Sequence, residues 1–224
     1  NIGVIGNSVG SGKSLIIMAL MATPIFDTER RVYFESSMLV QAFKCDTYRP
    51  ANNINVLLVP HGIFLQWLTY LNDQTTLSYE SVVCKSDVAK LEYDKQVIIV
   101  CSSNWSDFAS VANEKNLSFG RLFIDEVDSI TTPNCAKINT HFTWFVSSSV
   151  NNLRFPKGAT LTDDTVVRGL KHRGYIKDTF VALQQSQFRK YIFLKTSAKL
   201  VRESFNLPDP EYIPYLCKGG KMLD

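Results

Sequence analysis

The sequence predicts an α/β protein built on a mostly parallel sheet covered by helices on both faces. Three observations carry that expectation. Short, wholly apolar runs recur along the chain, segments long enough for helices separate them, and the two motifs richest in polar chemistry each follow directly on such a run. With 224 residues, 45% of them apolar and 20% charged, the chain has a globular composition and length enough for a core without disulfides or metals.

The elements follow in order. Ile2-Gly3-Val4-Ile5 is a short strand entering a glycine-rich turn, and the apolar stretch from Ser14 to Ala22 reads as a helix ended by Pro24. Between 25 and 53 the signal is mixed, with a strand at Val32-Tyr33-Phe34 and a turn at Arg49-Pro50-Ala51-Asn52-Asn53. Asn55-Val56-Leu57-Leu58-Val59 is a buried strand closed by Pro60, and Ile63 to Leu71 has helical spacing. Further buried strands are expected at Ser81–Cys84, Val97–Cys101, Arg121–Ile124 and Phe142–Val146. Residues 150–190 read as loop then helix, with Asp163-Asp164 at the helix start, and Tyr191–Leu194 is the last strand. From Ser204, the run Phe205-Asn206-Leu207-Pro208-Asp209-Pro210 and the pair Gly219-Gly220 read as an exit linker. The expected organisation is one domain over 1–200 and a linker over 201–224. The glycine-rich turn begins so early that its feeding strand has almost no sequence before it, so the chain reads as a piece of a larger protein.

Charge and cysteines narrow the function little. A net charge of +3, from 24 basic and 21 acidic residues, is too small by itself to argue for a nucleic-acid face. Cys45, Cys84, Cys101, Cys135 and Cys217 form no C-x-x-C pair and no metal-ligand spacing, which suits a reduced, intracellular protein. No apolar run approaches the roughly 20 residues of a membrane-spanning helix, so no membrane association is expected.

The first chemical motif is Gly6-Asn7-Ser8-Val9-Gly10-Ser11-Gly12-Lys13-Ser14. A triphosphate is densely anionic and is held where backbone N–H groups converge at a helix N-terminus, with glycines letting that backbone wrap closely. Gly10, Ser11, Gly12, Lys13 and Ser14 have that pattern: Lys13 reaches the outer phosphates and the Ser14 hydroxyl ligates the magnesium ion that bridges them. The general motif wants glycine where Asn7 stands, with Gly6 one residue early. The bland alternative is a glycine-rich turn that a lysine happens to follow.

The second motif, Asp125-Glu126-Val127-Asp128, ends the apolar run Leu122-Phe123-Ile124, where open α/β sheets place their ligand crevice. Asp125 would hold magnesium, largely through water, and Glu126 would orient and deprotonate a water attacking the γ-phosphate. Asp128 is left to pair with neighbouring motifs. Alone, such a cluster is as often a solvated loop; beside Lys13 it points to hydrolysis of a nucleoside triphosphate.

At Asp125-Glu126-Val127-Asp128 the sequence resembles the superfamily 2 helicases and translocases, whose second motif is Asp-Glu-x-Asp or Asp-Glu-x-His. The glycine-rich run is similar to their Swi/Snf-like form, in which a small residue stands six positions before the second glycine, the place Gly6 takes. Leu57-Leu58-Val59-Pro60-His61 followed by Gln66-Trp67 looks like the next motif, which in relatives contacts the nucleic-acid backbone. Phe142–Ser149 looks like the third motif with its strand. Phe142-Thr143-Trp144-Phe145 and Ser204–Pro208 resemble helicases of large cytoplasmic DNA viruses, of the poxvirus early-transcription-factor ATPase-subunit type.

The resemblance implies a RecA-like first lobe that binds ATP and Mg2+, with Lys13 and Glu126 catalytic, Ser14 and Asp125 at the metal, Asp128, Ser147 and Ser149 coupling hydrolysis to movement, and Pro60 and His61 touching nucleic acid. It favours DNA over RNA, and implies a second lobe with arginine fingers that does not fit after residue 210. It further implies viral transcription machinery as a partner, in the cytoplasm of an infected cell or the virion. One departure stands out: the third motif is usually Ser/Thr-Ala-Thr, and here it is Ser147-Ser148-Ser149. An alternative function is therefore a transcription or assembly subunit with ATPase activity but no unwinding. A phosphoryl-transferring kinase shares the loop but gives no reason for Asp-Glu-x-Asp.

Trp67 and Trp144 stand in apolar runs and are expected in the core rather than as base-stacking platforms. The basic cluster Arg168, Lys171, His172, Arg173 and Lys177 reads as a solvated helix face.

Overall fold

The computed structural model describes residues 2–24, 31–36, 41–46, 52–130, 138–149, 193–197, 199, 200 and 203. Outside them lie the helix expected after Asp163, its basic cluster, the linker from 204, Cys135, Cys217 and most of the turn at 49–53.

Three strands rich in apolar residues sit in the middle of the sheet. β4 (Asn55–Val59) and β6 (Val97–Cys101) are buried at every position, and β7 (Ser118–Ile124) at all but one. Burial on both faces requires covering on both faces, which is the condition of a parallel sheet. With β1 (Ile2–Ile5), β5 (Tyr79–Val82), β8 (Asn139–Val146) and β9 (Phe193–Leu194) they form a seven-stranded sheet in the order β5-β6-β4-β7-β8-β1-β9. Every pairing in it is parallel. A separate antiparallel pair joins β2 (Arg31–Ser36) to β3 (Gln41–Asp46).

Strand alternation divides the core in two. Val56 and Leu58 of β4, Ile98 and Val100 of β6, and Leu122 and Ile124 of β7 face one layer; Leu57, Val59, Ile99 and Phe123 face the other. The first layer is closed by α3 (Lys85–Lys90) and α4 (Trp105–Glu114), the latter through Trp105, Phe108, Ala109 and Ala112, the i, i+3, i+4, i+7 stripe of an amphipathic helix. The second is closed by α1 (Lys13–Ala22) through Ile17, Met18 and Met21, and by α2 (His61–Gln74) through Phe64, Trp67 and Leu71. Each large apolar side chain so buried contributes about 1.5–3 kcal/mol.

The expected strands recur with shifted edges. The strand expected at 81–84 lies at Tyr79–Val82, because the Asp87 carboxylate accepts the N–H groups of Val83 (3.0 Å) and Cys84 (2.9 Å) and turns them into the start of α3. The helix expected at 63–71 begins two residues earlier, with Pro60 as its N-cap, and runs on to Gln74. Neither β3 nor α3 was marked by the sequence pattern.

One long-range tie fixes α1 over the sheet, and one close approach sets β1 beside β8. The Arg121 guanidinium of β7 donates to the carbonyls of Leu20, Thr23 (2.9 Å) and Pro24 (3.3 Å), capping the C-terminal end of α1 where carbonyls lack helical partners. Gly3 of β1 pairs with Trp144 of β8, and a Cβ at Gly3 would run into the Trp144 indole, so a larger residue there would force that ring to move.

Candidate functional site

β1 ends in the glycine loop, whose conformation follows from its glycines. Gly10 (φ 75°) and Gly12 (φ 77°) both occupy the left-handed region, and Gly12 is the N-cap of α1. Nothing lies within 4 Å of a Cβ added at either, so backbone conformation rather than crowding demands glycine there. Inside the loop the Ser8 carbonyl accepts from the Ser11 hydroxyl (2.7 Å) and from the Lys13 ammonium (3.0 Å).

Asn7, where a glycine was expected, has a structural task. It is 3% exposed, its Nδ2 donates to the Thr196 hydroxyl (3.0 Å), and its Oδ1 accepts the Thr196 N–H (2.8 Å). With the Gly6 N–H donating to the Leu194 carbonyl at 3.0 Å, this pair fastens the loop to the segment leaving β9.

The acidic motif leaves the end of β7 in a tight turn. Glu126 sits at φ 46°, a left-handed conformation uncommon for a side-chain-bearing residue, and its carbonyl accepts both the N–H and the hydroxyl of Ser129 at 2.8 Å. Asp125 is 5% exposed; its Oδ1 accepts the Glu126 N–H (3.0 Å) and its Oδ2 the Trp67 indole N–H (2.9 Å). Burial raises the Asp125 pKa, opposed by the Trp67 and Glu126 hydrogen bonds and by the Lys13 charge. Burial also raises that of Glu126, reinforced by Asp125 and Asp128 and opposed by Lys13.

These two motifs, distant in sequence, line one cleft of about 480 Å³: Gly10, Gly12, Lys13 and Ser14 on one side, Asp125 and Glu126 on the other. Ser11 stays in the loop, bonded to Ser8. Asp128, Ser147 and Ser149, expected from the resemblance as coupling residues, are joined by hydrogen bonds. The Ser147 hydroxyl donates to Asp128 Oδ1 (2.6 Å) and accepts the Ser149 N–H (2.8 Å), while the Ser147 N–H donates to the Ile5 carbonyl at the end of β1 (3.1 Å). Ser149 takes part through its backbone. Pro60 and His61 stand apart at the start of α2; His61 Nδ1 lies 3.7 Å from the buried Cys101 sulfur, which also accepts from the Ser103 hydroxyl (3.3 Å). Trp67 is in the core as expected, and half-buried Trp144 packs against the α1–α2 layer.

Sequence reasoning missed Tyr70 and Gln74 of α2 as lining of the cleft and read Gln66 only as part of a motif that in relatives contacts nucleic acid; all three line the cleft, with Gln66 donating to the Tyr70 hydroxyl. Their spacing of four puts them on one helix face, a stripe that was legible. The tie from Trp67 to Asp125 had no local signal, since it depends on β4 and β7 being neighbours.

The donor set suits magnesium. No group of three or more His, Cys, Asp or Glu side chains able to hold a metal occurs among the described residues. A hydroxyl at Ser14 and one carboxylate at Asp125 match an ion that keeps several waters and is completed by phosphate oxygens.

One strand, β8, lies between the strand that carries the glycine loop and the strand that carries the acidic pair, and both motifs stand at the C-terminal ends of their strands. This arrangement is that of a RecA-like α/β domain. Among solved structures the chain is similar to the Sulfolobus solfataricus SWI2/SNF2 ATPase core in complex with dsDNA, at 11% identity and a TM-score of 0.51, over 88% of this chain and 40% of that one. The chain thus spans well under half the length of that neighbour, and the likeness is one of fold. No protein-family model matches the chain, and no curated protein matches it in sequence.

Proposed function

We propose that the chain is the ATP-binding motor lobe of a superfamily 2 helicase or translocase acting on nucleic acid and hydrolysing ATP with magnesium. The observation that carries this reading is the convergence of Lys13 and Ser14 with Asp125 and Glu126 on one cleft between the ends of β1 and β7. Bound between the phosphates, Ser14 and Asp125, magnesium would neutralise charge developing on the phosphoryl group. Gly10, Ser11 and Gly12 would present N–H groups to the phosphates, and Lys13 would move from the Ser8 carbonyl to the outer phosphates. Glu126, held half-buried with a raised pKa, would take the proton of the attacking water.

The Ser147–Asp128 and Ser147–Ile5 connections support the coupling role of Asp128, Ser147 and Ser149; the alternative is a transcription or assembly subunit with ATPase activity but no unwinding. The fold neighbour was solved in complex with dsDNA, which supports DNA as the partner; Pro60 and His61 as contacts rest on the resemblance of the Leu57–His61 motif. A second lobe reached through residues 201–224 would complete the site. Placement near the viral helicases, with transcription machinery as a partner, rests on the Phe142–Phe145 and Ser204–Pro208 motifs.

Hydrolysis measured with and without duplex DNA, on the protein including its second lobe, tests this reading. Glu126→Gln should cut turnover by about 100-fold or more while ATP still binds. Undiminished hydrolysis in that variant removes Glu126 as the base, and strand displacement separates motor from non-unwinding subunit.

A further inference from the structure

One buried polar contact joins two elements that no motif connects. Trp67, in the second turn of α2, is 1% exposed and packs edge-on to Tyr70, ring centroids 5.8 Å apart, within the apolar layer under α1 and α2. Packing of that kind needs only the ring. The indole N–H has a different role: it donates to Asp125 Oδ2 at 2.9 Å.

The second oxygen of the same carboxylate is held as well, because Oδ1 accepts the Glu126 N–H at 3.0 Å. Two donors from different elements, one on each oxygen, fix both the position and the plane of the carboxylate. Each oxygen keeps a further lone pair for water on a bound cation. The Glu126 N–H comes from the neighbouring residue and moves with the turn; the indole is the tie to a separate helix.

We propose that Trp67 is a positioning residue for the cation-binding carboxylate, holding Asp125 in the orientation that magnesium binding needs and making α2 part of the metal site. The inference rests on the role given above to Asp125. It also links two features of α2, because the helix that begins at the candidate nucleic-acid contacts Pro60 and His61 carries, in its second turn, the donor to Asp125. A shift of α2 would therefore carry that donor with it.

The test is a magnesium titration of this chain, read by the fluorescence of a labelled ATP. Replacing Trp67 with 3-benzothienylalanine keeps the ring shape and puts sulfur where the N–H stood. This replacement is expected to raise the half-saturating magnesium concentration by roughly tenfold, leaving magnesium-free nucleotide binding unchanged. Trp67→Phe should shift it the same way if it folds. Phe64→Leu, a packing change on the same buried face, should lower the unfolding temperature without moving the magnesium midpoint. An unchanged midpoint in the 3-benzothienylalanine protein overturns the inference while leaving the proposed function standing. Wild-type nucleotide binding with no magnesium dependence overturns both.

Discussion

The hydroxyl of Ser147 donates to Asp128 at 2.6 Å while the Ser147 backbone N–H donates to the carbonyl of Ile5, the last residue before the glycine loop. One residue thus touches both strands' motifs, and a change at either has a short physical route to the other. Ser147→Ala should leave ATP affinity within about twofold and lower nucleic-acid stimulation of hydrolysis by roughly tenfold. Steady-state kinetics with and without DNA check this, and equal stimulation in the two proteins removes Ser147 from the coupling path.

Asn7 donates to and accepts from Thr196, so its loss strands a backbone N–H. Asn7→Ala should cost about 1–3 kcal/mol. Thermal unfolding should place the Ala variant several degrees below wild type, and an unchanged midpoint removes the Asn7–Thr196 pair as a fastening of the loop.

Glu126 carries a pKa raised by burial and then by its acidic neighbours, so its ionised form is disfavoured in the folded state. For a carboxyl with a raised folded pKa, the folded state binds more protons than the unfolded one, and stability falls as pH rises through the ordinary carboxylate range. Glu126→Gln should therefore unfold about 1–3 °C above wild type at neutral pH, and the gap should close below the ordinary glutamate range. A gap that widens on acidification contradicts the sign.

At Gly10 and Gly12 the space beside the backbone is open but φ is near 75°, so the penalty for a side chain is conformational. Gly12→Ala should destabilise by about 1–2 kcal/mol, and Gly12→Asn by less, since asparagine tolerates the left-handed region. Equal unfolding midpoints for the two variants would show that strain is not the reason for glycine here.

The central sheet was legible because parallel strands buried on both faces, such as Val97–Cys101, write themselves as unbroken apolar runs. The stripe Trp105, Phe108, Ala109, Ala112 was equally present in the sequence, but the serines and aspartate between those positions, with asparagines flanking them at 104 and 113, masked the helix. The edges of β5 and α2 escaped because caps set them: Asp87 reaches back to Val83 and Cys84, and Pro60 starts α2 on its own carbonyl geometry. In the candidate site, residues within one motif were readable from spacing. Trp67 with Asp125 and Asn7 with Thr196 were not, because sheet order alone brings them together.

The most direct test of the central claim is calorimetric titration of ATP into this chain with magnesium present, for wild type and for Lys13→Ala. The account predicts saturable binding at one site by the wild type, weakened roughly tenfold or more when the lysine charge is removed. Equal affinity in the two proteins, or no binding by the wild type, contradicts it.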